Sequence, residues 1–283
     1  MQVEIIAPYG FCAGVKRAIS ILEKTRQDNP NEKIYCIGNL VHNQEVNDEL
    51  AKKGIIFLSG DKEKIIDSLN DGIIVFSAHG TSPRIISKAK EKGLRFIDAA
   101  CLFVVKELDI IKEKIDQGYD VIYIGTKNHE EASAALSISD KIHFVSQRSD
   151  VDNLKIDNAK IAVINQTTLS ITSIVGFYEA IKEKYDYVEI VDEICNSTRV
   201  RQEKLINHEI DADGIIIVGD KTSNNSVSLY TISKERGYDT ILVSKYDDID
   251  HNWFKGKSKI AILSGTSTPN KTVEDTYNNI IKL

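Results

Sequence analysis

The sequence predicts an α/β protein of three similar parallel-sheet lobes arranged around a pseudo-threefold axis. Three observations lead to this prediction. Short Val/Ile-rich runs alternate with helical patterns, three of these runs end at a cysteine, and polar segments follow the other strand ends in the same order in each third of the chain. Continuous apolar strands that alternate with helices are typical of parallel sheets covered on both faces.

Each repeat contains a strand that leads to a cysteine and then to a helix. The strand segments read "VEIIAPYGFC", "LRFIDAAC" and "YVEIVDEIC". Their cysteines are Cys12, Cys101 and Cys195, separated by 89 and 94 positions. This period predicts three lobes, which span residues 1–97, 98–192 and 193–283. A fourth cysteine, Cys36, has no counterpart in the other repeats, and we expect it to lie in the core.

Polar segments follow two further strands in each repeat. After "KIYCIG", "DVIYIG" and "DGIIIVG" come "NLVHNQEV", "TKNHEEAS" and "DKTSNNSVS", and later strands lead into "SAHGTSP", "NQTTLS" and "SGTSTPN". Equivalent positions hold His42, His129 and Ser223, and then His79, Thr167 and Ser267. Because ligands bind beyond the carboxyl ends of parallel strands, these segments predict a binding site.

The hydroxyl- and amide-rich segments of the last third suit a diphosphate. Ser, Thr and Asn side chains together with the N–H groups of a helix start bind anionic oxygens. The alternative is that Ser223, Asn225 and Ser267 only cap helices. Beside His129, Glu130 and Glu131 supply two carboxylates, and burial at a strand end is expected to raise the pKa of at least one of them. The pattern does not distinguish the two.

Three cysteines from separate lobes suit a metal centre with one open position. A [4Fe–4S] cluster held by three thiolates leaves one iron without a protein ligand. A zinc ion and three buried thiols are the alternatives that the spacing leaves open.

The composition narrows the class of protein. The chain has 283 residues, of which 42% are hydrophobic and 28% charged, with a formal net charge of −6. These values predict a large core and argue against nucleic acid as a main partner, because phosphate contacts need a basic face. No apolar run approaches 18 residues and no secretory signal is visible at the start, so we expect a cytoplasmic protein that does not span a membrane.

The set of motifs resembles the 4-hydroxy-3-methylbut-2-enyl diphosphate reductase family over nearly the whole chain. The matching segments are "GFCAGV", "VHNQEV", "FSAHGTSP", "NQTTLS", "EICNSTRVRQE", "SNNS" and "SGTSTP". The resemblance implies a three-lobed α/β fold around a [4Fe–4S] cluster. It implies the last step of the non-mevalonate isoprenoid pathway, a reductive dehydration to isopentenyl and dimethylallyl diphosphate. It also implies an external electron donor of the ferredoxin or flavodoxin type.

The resemblance also implies roles for individual residues. Cluster ligands would be Cys12, Cys101 and Cys195. Residues that bind the diphosphate would be His42, His79, His129, Ser223, Asn224, Asn225 and Ser267. The catalytic residues would be Glu131, which would deliver protons, Thr167, which would lie beside the substrate hydroxyl, and His129. The chain departs from the family where Glu130 replaces a proline, where Ala100 and Leu102 flank the second cysteine, and near Glu107, where a histidine is usual.

Two other functions compete with this interpretation. One is a zinc phosphoesterase on the same scaffold, and the other is a cluster-containing binding protein or sensor without turnover. Metal content and a reductase assay would separate them.

Overall fold

The computed structural model describes residues 1–283 and contains three four-stranded sheets, in which every neighbouring pair of strands is parallel. The first sheet contains β2 (Ile34–Ile37), β3 (Ile55–Leu58), β4 (Ile73–Phe76) and β5 (Arg95–Asp98). The second contains β6 (Asp120–Ile124), β7 (Ile142–Val145), β8 (Ile161–Asn165) and β9 (Val188–Val191). The third contains β10 (Gly214–Val218), β11 (Thr240–Val243), β12 (Lys259–Ser264) and β1 (Gln2–Ile5).

Helices connect successive strands, as parallel pairing requires. They are α1 (Ala13–Asp28), α2 (Gln44–Lys52), α3 (Lys62–Ser68), α4 (Pro83–Glu91), α5 (Leu102–Asp116), α6 (Glu130–Leu136), α7 (Arg148–Asn153), α8 (Ile171–Lys184), α9 (Asn196–Ile206), α10 (Asn224–Glu235) and α11 (Asn270–Ile280). Short 3₁₀ turns cover Tyr246–Asp248 and His251–Phe254. None of the helices combines the length and the apolar character needed to cross a membrane.

The three sheets share one topology. Their strand orders are β3-β2-β4-β5, β7-β6-β8-β9 and β11-β10-β12-β1. In the first two sheets the chain starts at an inner strand, moves to one edge, returns to the other side of the starting strand and ends at the opposite edge. In the third sheet β10, β11 and β12 follow the same path, and β1 occupies the opposite edge. The order in which strands are added to the sheet reverses between β2 and β4, between β6 and β8, and between β10 and β12. Such a reversal opens a crevice at the carboxyl ends of the two strands. The predicted fold of three parallel α/β lobes is confirmed.

The first strand of the chain does not belong to the first sheet. β1 pairs with β12, with Val3 opposite Ile260 and Ile5 opposite Ile262, so it forms the edge of the third sheet. The prediction that residues 1–97 form one lobe is wrong in this respect. A strand of four residues carries little information about its partner. The prediction grouped β1 with the segments that follow it directly in the sequence, whereas β1 pairs with a strand near the other end of the chain.

The chain divides into two compact units. One unit contains Met1–Val15, His42–Val46 and Cys195–Leu283, with the third sheet, and the other contains Lys16–Val41 and Asn47–Ile194, with the first and second sheets. In the unit with the third sheet, Ile215 and Ile217 pack with Leu205 of α9, whereas Ile216 packs with Val273 of α11. Both faces of β10 are therefore buried, which explains its continuous Ile-rich run.

The second sheet, in the other unit, is covered in the same way. Val121 and Tyr123 of β6 pack with Ile111 of α5, while Ile122 packs on the opposite face with Ile181 of α8. Each fully buried Ile or Val side chain contributes about 1.5–3 kcal/mol of transfer free energy. This burial fixes the strands in position, and with them the loops at their carboxyl ends.

Candidate functional site

The three repeated cysteines occupy the same place in the shared topology. Each follows the corresponding edge strand of a sheet (β1, β5 or β9) and stands at a helix start: Cys12 directly precedes α1, and Cys101 and Cys195 are the N-cap residues of α5 and α9. All three are partly exposed and none forms a disulfide. Cys36 differs, because it is buried inside β2 and burial raises the pKa of its thiol to about 12. Its predicted place in the core is confirmed.

One backbone amide donates to the Cys12 sulfur, and further hydrogen bonds fix the backbone around it. The N–H of Val15 donates to Cys12 Sγ at 3.4 Å, and the N–H of Cys12 donates to the Thr266 carbonyl at 3.0 Å. The preceding Gly10 has a φ of +73° and donates its N–H to Ser264 Oγ at 2.8 Å. The thiol is thereby held against the loop that follows β12.

A buried arginine that the sequence reasoning did not single out lies beside two of the cysteines. Arg201 of α9 donates from Nη1 to the Ser264 carbonyl at 2.7 Å and from Nη2 to the Gly10 carbonyl at 2.6 Å. Burial lowers the pKa of its guanidinium to about 10, while the Cys12 and Cys195 thiols raise it. Arg201 is therefore close enough to both thiol groups to interact with them electrostatically. The only signal in the sequence was a basic residue in the helix after Cys195.

Cys195 connects to the polar residues at the start of α10. Its Sγ lies 3.1 Å from Thr198 Oγ1, which donates to Asn225 Oδ1 at 2.7 Å. A predicted metal ligand and a predicted anion-binding residue are thus joined through one hydroxyl group.

The hydroxyl-rich segments of the same unit also converge. Ser267 Oγ donates to the backbone carbonyl of His42 at 2.9 Å and lies 3.5 Å from Ser223 Oγ. Ser223 is the N-cap of α10, but its side chain makes no capping hydrogen bond, and Asn224 and Asn225 are the first two helical residues. The alternative that these side chains serve only as caps is therefore wrong, because Ser267 and Asn225 do not occupy cap positions. The helix start suits an anion.

In the other unit, three predicted residues meet at the crevice between β6 and β8. His129 is the N-cap of α6, and its Nδ1 accepts the N–H of Glu131 at 3.2 Å. Glu131 is buried, and its Oε1 accepts the N–H of Thr167 at 2.6 Å. Burial raises the pKa of Glu131, although the Thr167 hydrogen bonds oppose that shift. The ring of His79 lies edge-on to that of His129, with centroids 5.6 Å apart.

The neighbouring Glu130 has the opposite character. Its Oε2 accepts the Ser77 hydroxyl at 2.7 Å and lies 3.5 Å from Lys62 Nζ and 3.6 Å from His79 Nδ1. Burial alone would raise its pKa, but His79, Lys62 and Ser77 lower it to about 2. Glu130 is therefore a carboxylate held in ion pairs, and Glu131 is the carboxyl group with the raised pKa. The structure makes the distinction that the sequence pattern left open.

Two features beside the thiols of the unit with the third sheet suit metal binding. The N–H group directed at Cys12 and the charge of Arg201 both suit thiolates that bind a metal.

The fold and these residues define a parallel α/β protein of the class that binds a small molecule at the carboxyl ends of its strands. The family model described as "LytB protein" matches residues 3–281. The chain belongs to this LytB family.

Relatives and solved structures agree with this family. A protein of Geobacillus sp. (strain WCH70) named 4-hydroxy-3-methylbut-2-enyl diphosphate reductase is 42% identical over 273 residues, which cover 95% of this chain and 87% of the relative. A protein of the same name from Malacoplasma penetrans (strain HF-2) is 40% identical over 279 residues, covering 95% and 93%. The structure of the Plasmodium falciparum E-1-hydroxy-2-methyl-but-2-enyl-4-diphosphate reductase matches with a TM-score of 0.92 at 33% identity, over 100% of this chain and 88% of the other.

A second solved structure is described as (E)-4-hydroxy-3-methyl-but-2-enyl diphosphate reductase, the terminal enzyme of the non-mevalonate pathway. It matches with a TM-score of 0.71 at 28% identity, and both chains are covered completely. The family that the motifs predicted is confirmed.

Proposed function

We propose that this chain reduces 4-hydroxy-3-methylbut-2-enyl diphosphate to isopentenyl and dimethylallyl diphosphate, the last step of the non-mevalonate pathway. Its relatives at about 40% identity carry the name of this reductase. In the reaction the allylic C–O bond breaks, two electrons and two protons are taken up, and one water leaves.

A [4Fe–4S] cluster held by Cys12, Cys101 and Cys195 is the proposed cofactor. The observation that carries the proposal is the equivalent place of these cysteines, each at a helix start after the corresponding edge strand of a sheet with the same strand order. When bound, such a cluster supplies electrons one at a time and an iron without a protein ligand.

The diphosphate is proposed to bind at the start of α10 and to the strand-end imidazoles. The hydroxyls of Ser223 and Ser267, the amides of Asn224 and Asn225, and the first N–H groups of α10 supply donors. His42, His79 and His129 complete the proposed set. Binding energy from the diphosphate, which does not react, orients the reacting carbon.

Glu131 is proposed to deliver protons. Its pKa is raised by burial, so the carboxyl group carries a proton closer to neutral pH than an exposed glutamate does. Thr167, whose amide binds Glu131 Oε1, is proposed to place its side chain beside the substrate hydroxyl. His129 orients Glu131 through the amide hydrogen bond to Nδ1.

The proposed reaction takes place in the cytoplasm with electrons from a ferredoxin or flavodoxin type of donor. The net charge of −6 supports a reaction with small molecules rather than at an anionic surface.

Anaerobic purification followed by iron and sulfide determination tests the cofactor, and turnover of the allylic diphosphate with a reduced viologen dye tests the reaction. We expect about four irons and four sulfides per chain together with both products. A colourless zinc protein would point to the phosphoesterase, and a cluster without turnover to the sensor.

Replacement of single cysteines tests the ligand set. The variants C12S, C101S and C195S are each expected to lose the bound iron, while C36S, the matched control from the core, keeps it. Iron loss in C36S together with iron retention in C101S would overturn the assignment.

A further inference from the structure

A second buried carboxyl group, Glu107, lies behind Glu131 and has no role in the proposed function. Glu107 is on α5 and is 0% exposed. Its helix neighbours Val104, Leu108 and Ile111 form part of an apolar cluster with Tyr123 of β6. A glutamate in such a place needs a physical explanation, because an ionised carboxylate is costly to bury without partners.

For an ionised Glu107 the one neighbouring side chain that could donate is the Tyr123 hydroxyl, and the structure shows no such hydrogen bond formed. Neither of its oxygens accepts a hydrogen bond, and the Tyr123 hydroxyl is buried without a hydrogen bond as well. The charged groups that act most on Glu107 are themselves carboxylates, Glu131 and Glu193. The adjacent Lys106 is largely exposed and pairs with Glu193 at 3.0 Å.

A protonated Glu107 resolves this difficulty. Its O–H becomes a donor, and the nearby acceptor is the carboxyl group of Glu131. Burial, followed by the charge of Glu131, raises the pKa of Glu107 well above its usual value. For Glu131 the hydrogen bond from Glu107 lowers the pKa, and the charge of His79 acts in the same direction. Two adjacent buried carboxyl groups do not both ionise near neutral pH.

We propose that Glu107 remains a neutral carboxylic acid and donates a hydrogen bond to Glu131, thereby setting the strength of Glu131 as a proton donor. After Glu131 has given up its proton, its carboxylate is stabilised by two donors, the Thr167 N–H and the Glu107 O–H. Without Glu107 the carboxylate would keep only the donors at Thr167. Glu107 is a positioning residue, and the catalytic consequence rests on the proposed role of Glu131.

Infrared spectroscopy of the purified full-length protein tests the neutral state. The C=O stretch of a protonated carboxyl group is distinct from the carboxylate bands and shifts in D₂O. We expect wild type and E131Q to retain this band at pH 8 and E107Q to lose it. The variant E113Q is the matched control, since Glu113 is an exposed glutamate on the same helix, and it retains the band. An unchanged band in E107Q would overturn the proposal.

Comparison of E107Q with E107L tests the hydrogen bond. A glutamine amide still donates to Glu131, whereas leucine fills the site without a donor. Because a hydrogen bond to a charged group changes a pKa by about one to two units, the Glu131 band is expected to titrate about that much higher in E107L than in E107Q. The alkaline limb of the kcat profile moves by the same amount. Equal titration of Glu131 in the two variants would overturn the proposal.

These spectra do not depend on turnover. If the allylic diphosphate is not reduced but the bands respond as expected, the proposed function fails while the carboxyl pair stands. If turnover is observed but the bands do not respond, the pair fails alone.

Discussion

The Oε1 atom of Glu131 accepts the backbone N–H of Thr167 at 2.6 Å. This hydrogen bond joins the start of α6 to the loop after β8, across the point where the strand order of the second sheet reverses. It places a buried carboxyl group and a threonine at the same crevice. The proposed proton delivery depends on this relationship.

Removal of the Glu131 carboxyl group should abolish most turnover and leave the fold intact. E131Q is expected to lower kcat by about 10²–10⁴, the usual contribution of a positioned general acid, while iron content and substrate affinity stay close to wild type. E130Q is the matched control, because it makes the same Glu→Gln change one residue away. A similar loss of kcat in both variants would show that Glu131 has no special role.

The pH dependence of kcat follows from the raised pKa of Glu131. The acid form is the active one, so activity is present below that pKa and falls as pH rises through it. E131Q should lack this alkaline limb in whatever activity remains. A pH–rate profile between pH 5 and 9 checks the sign, and a limb of the opposite direction would contradict the assignment of Glu131 as an acid.

Ionised Glu130 should stabilise the protein at pH values above the pKa of a glutamate in the unfolded chain. This stabilisation should be absent at pH values below the pKa of Glu130 in the folded protein. Its folded pKa is lowered to about 2, so this contribution is lost as pH falls from about 4.3 toward 2. At neutral pH E130Q is expected to reduce the free energy of unfolding by about 1–3 kcal/mol. Urea denaturation of E130Q and wild type at pH 7 and pH 3 measures the difference in their free energies of unfolding. A difference that does not shrink at the lower pH would contradict this prediction.

Arg201 should be needed for iron retention as well as for folding. R201Q leaves the carbonyls of Ser264 and Gly10 without their buried donor, which costs about 1–3 kcal/mol for each group. It also removes the positive charge beside Cys12 and Cys195. We expect a lower Tm and less bound iron, with R201K partly restoring iron because it keeps the charge. The exposed R236Q is the control, and equal iron in R201Q and R236Q would refute the role.

Gly10 should tolerate no side chain. A Cβ at this position would lie 2.3 Å from the side chain of Asn270, and the φ of +73° is unfavourable for other residues. Gly237 has a similar φ of +85° but nothing within 4 Å, so G237A reports the backbone cost alone, about 1–2 kcal/mol. G10A is expected to lower Tm more than G237A, and N270A should relieve part of that loss in the double variant. Equal effects of G10A and G237A would exclude the steric contact.

Sequence patterns predicted the lobes and the order of the site residues because both depend on local signals. Val/Ile runs, helix starts and the polar residues after each strand recur with a period that places Cys12, Cys101 and Cys195 in equivalent positions. The partner of β1 was not predictable in this way. Parallel pairing of Val3 with Ile260 joins opposite ends of the chain, and a short, half-exposed edge strand carries no pattern that identifies its neighbour.

The amino-acid sequence by itself determined the family, the alternation of strands and helices, and the residue types at each strand end. Tertiary structure alone decided what adjacent residues do. Glu130 and Glu131 open the same helix, and successive helical side chains point about 100° apart. One consequently faces Lys62 and His79 and stays ionised, while the other enters the interior beside Thr167 and Glu107. Electrostatic environment is a property of the packed chain, because it depends on burial and on charges brought close by folding.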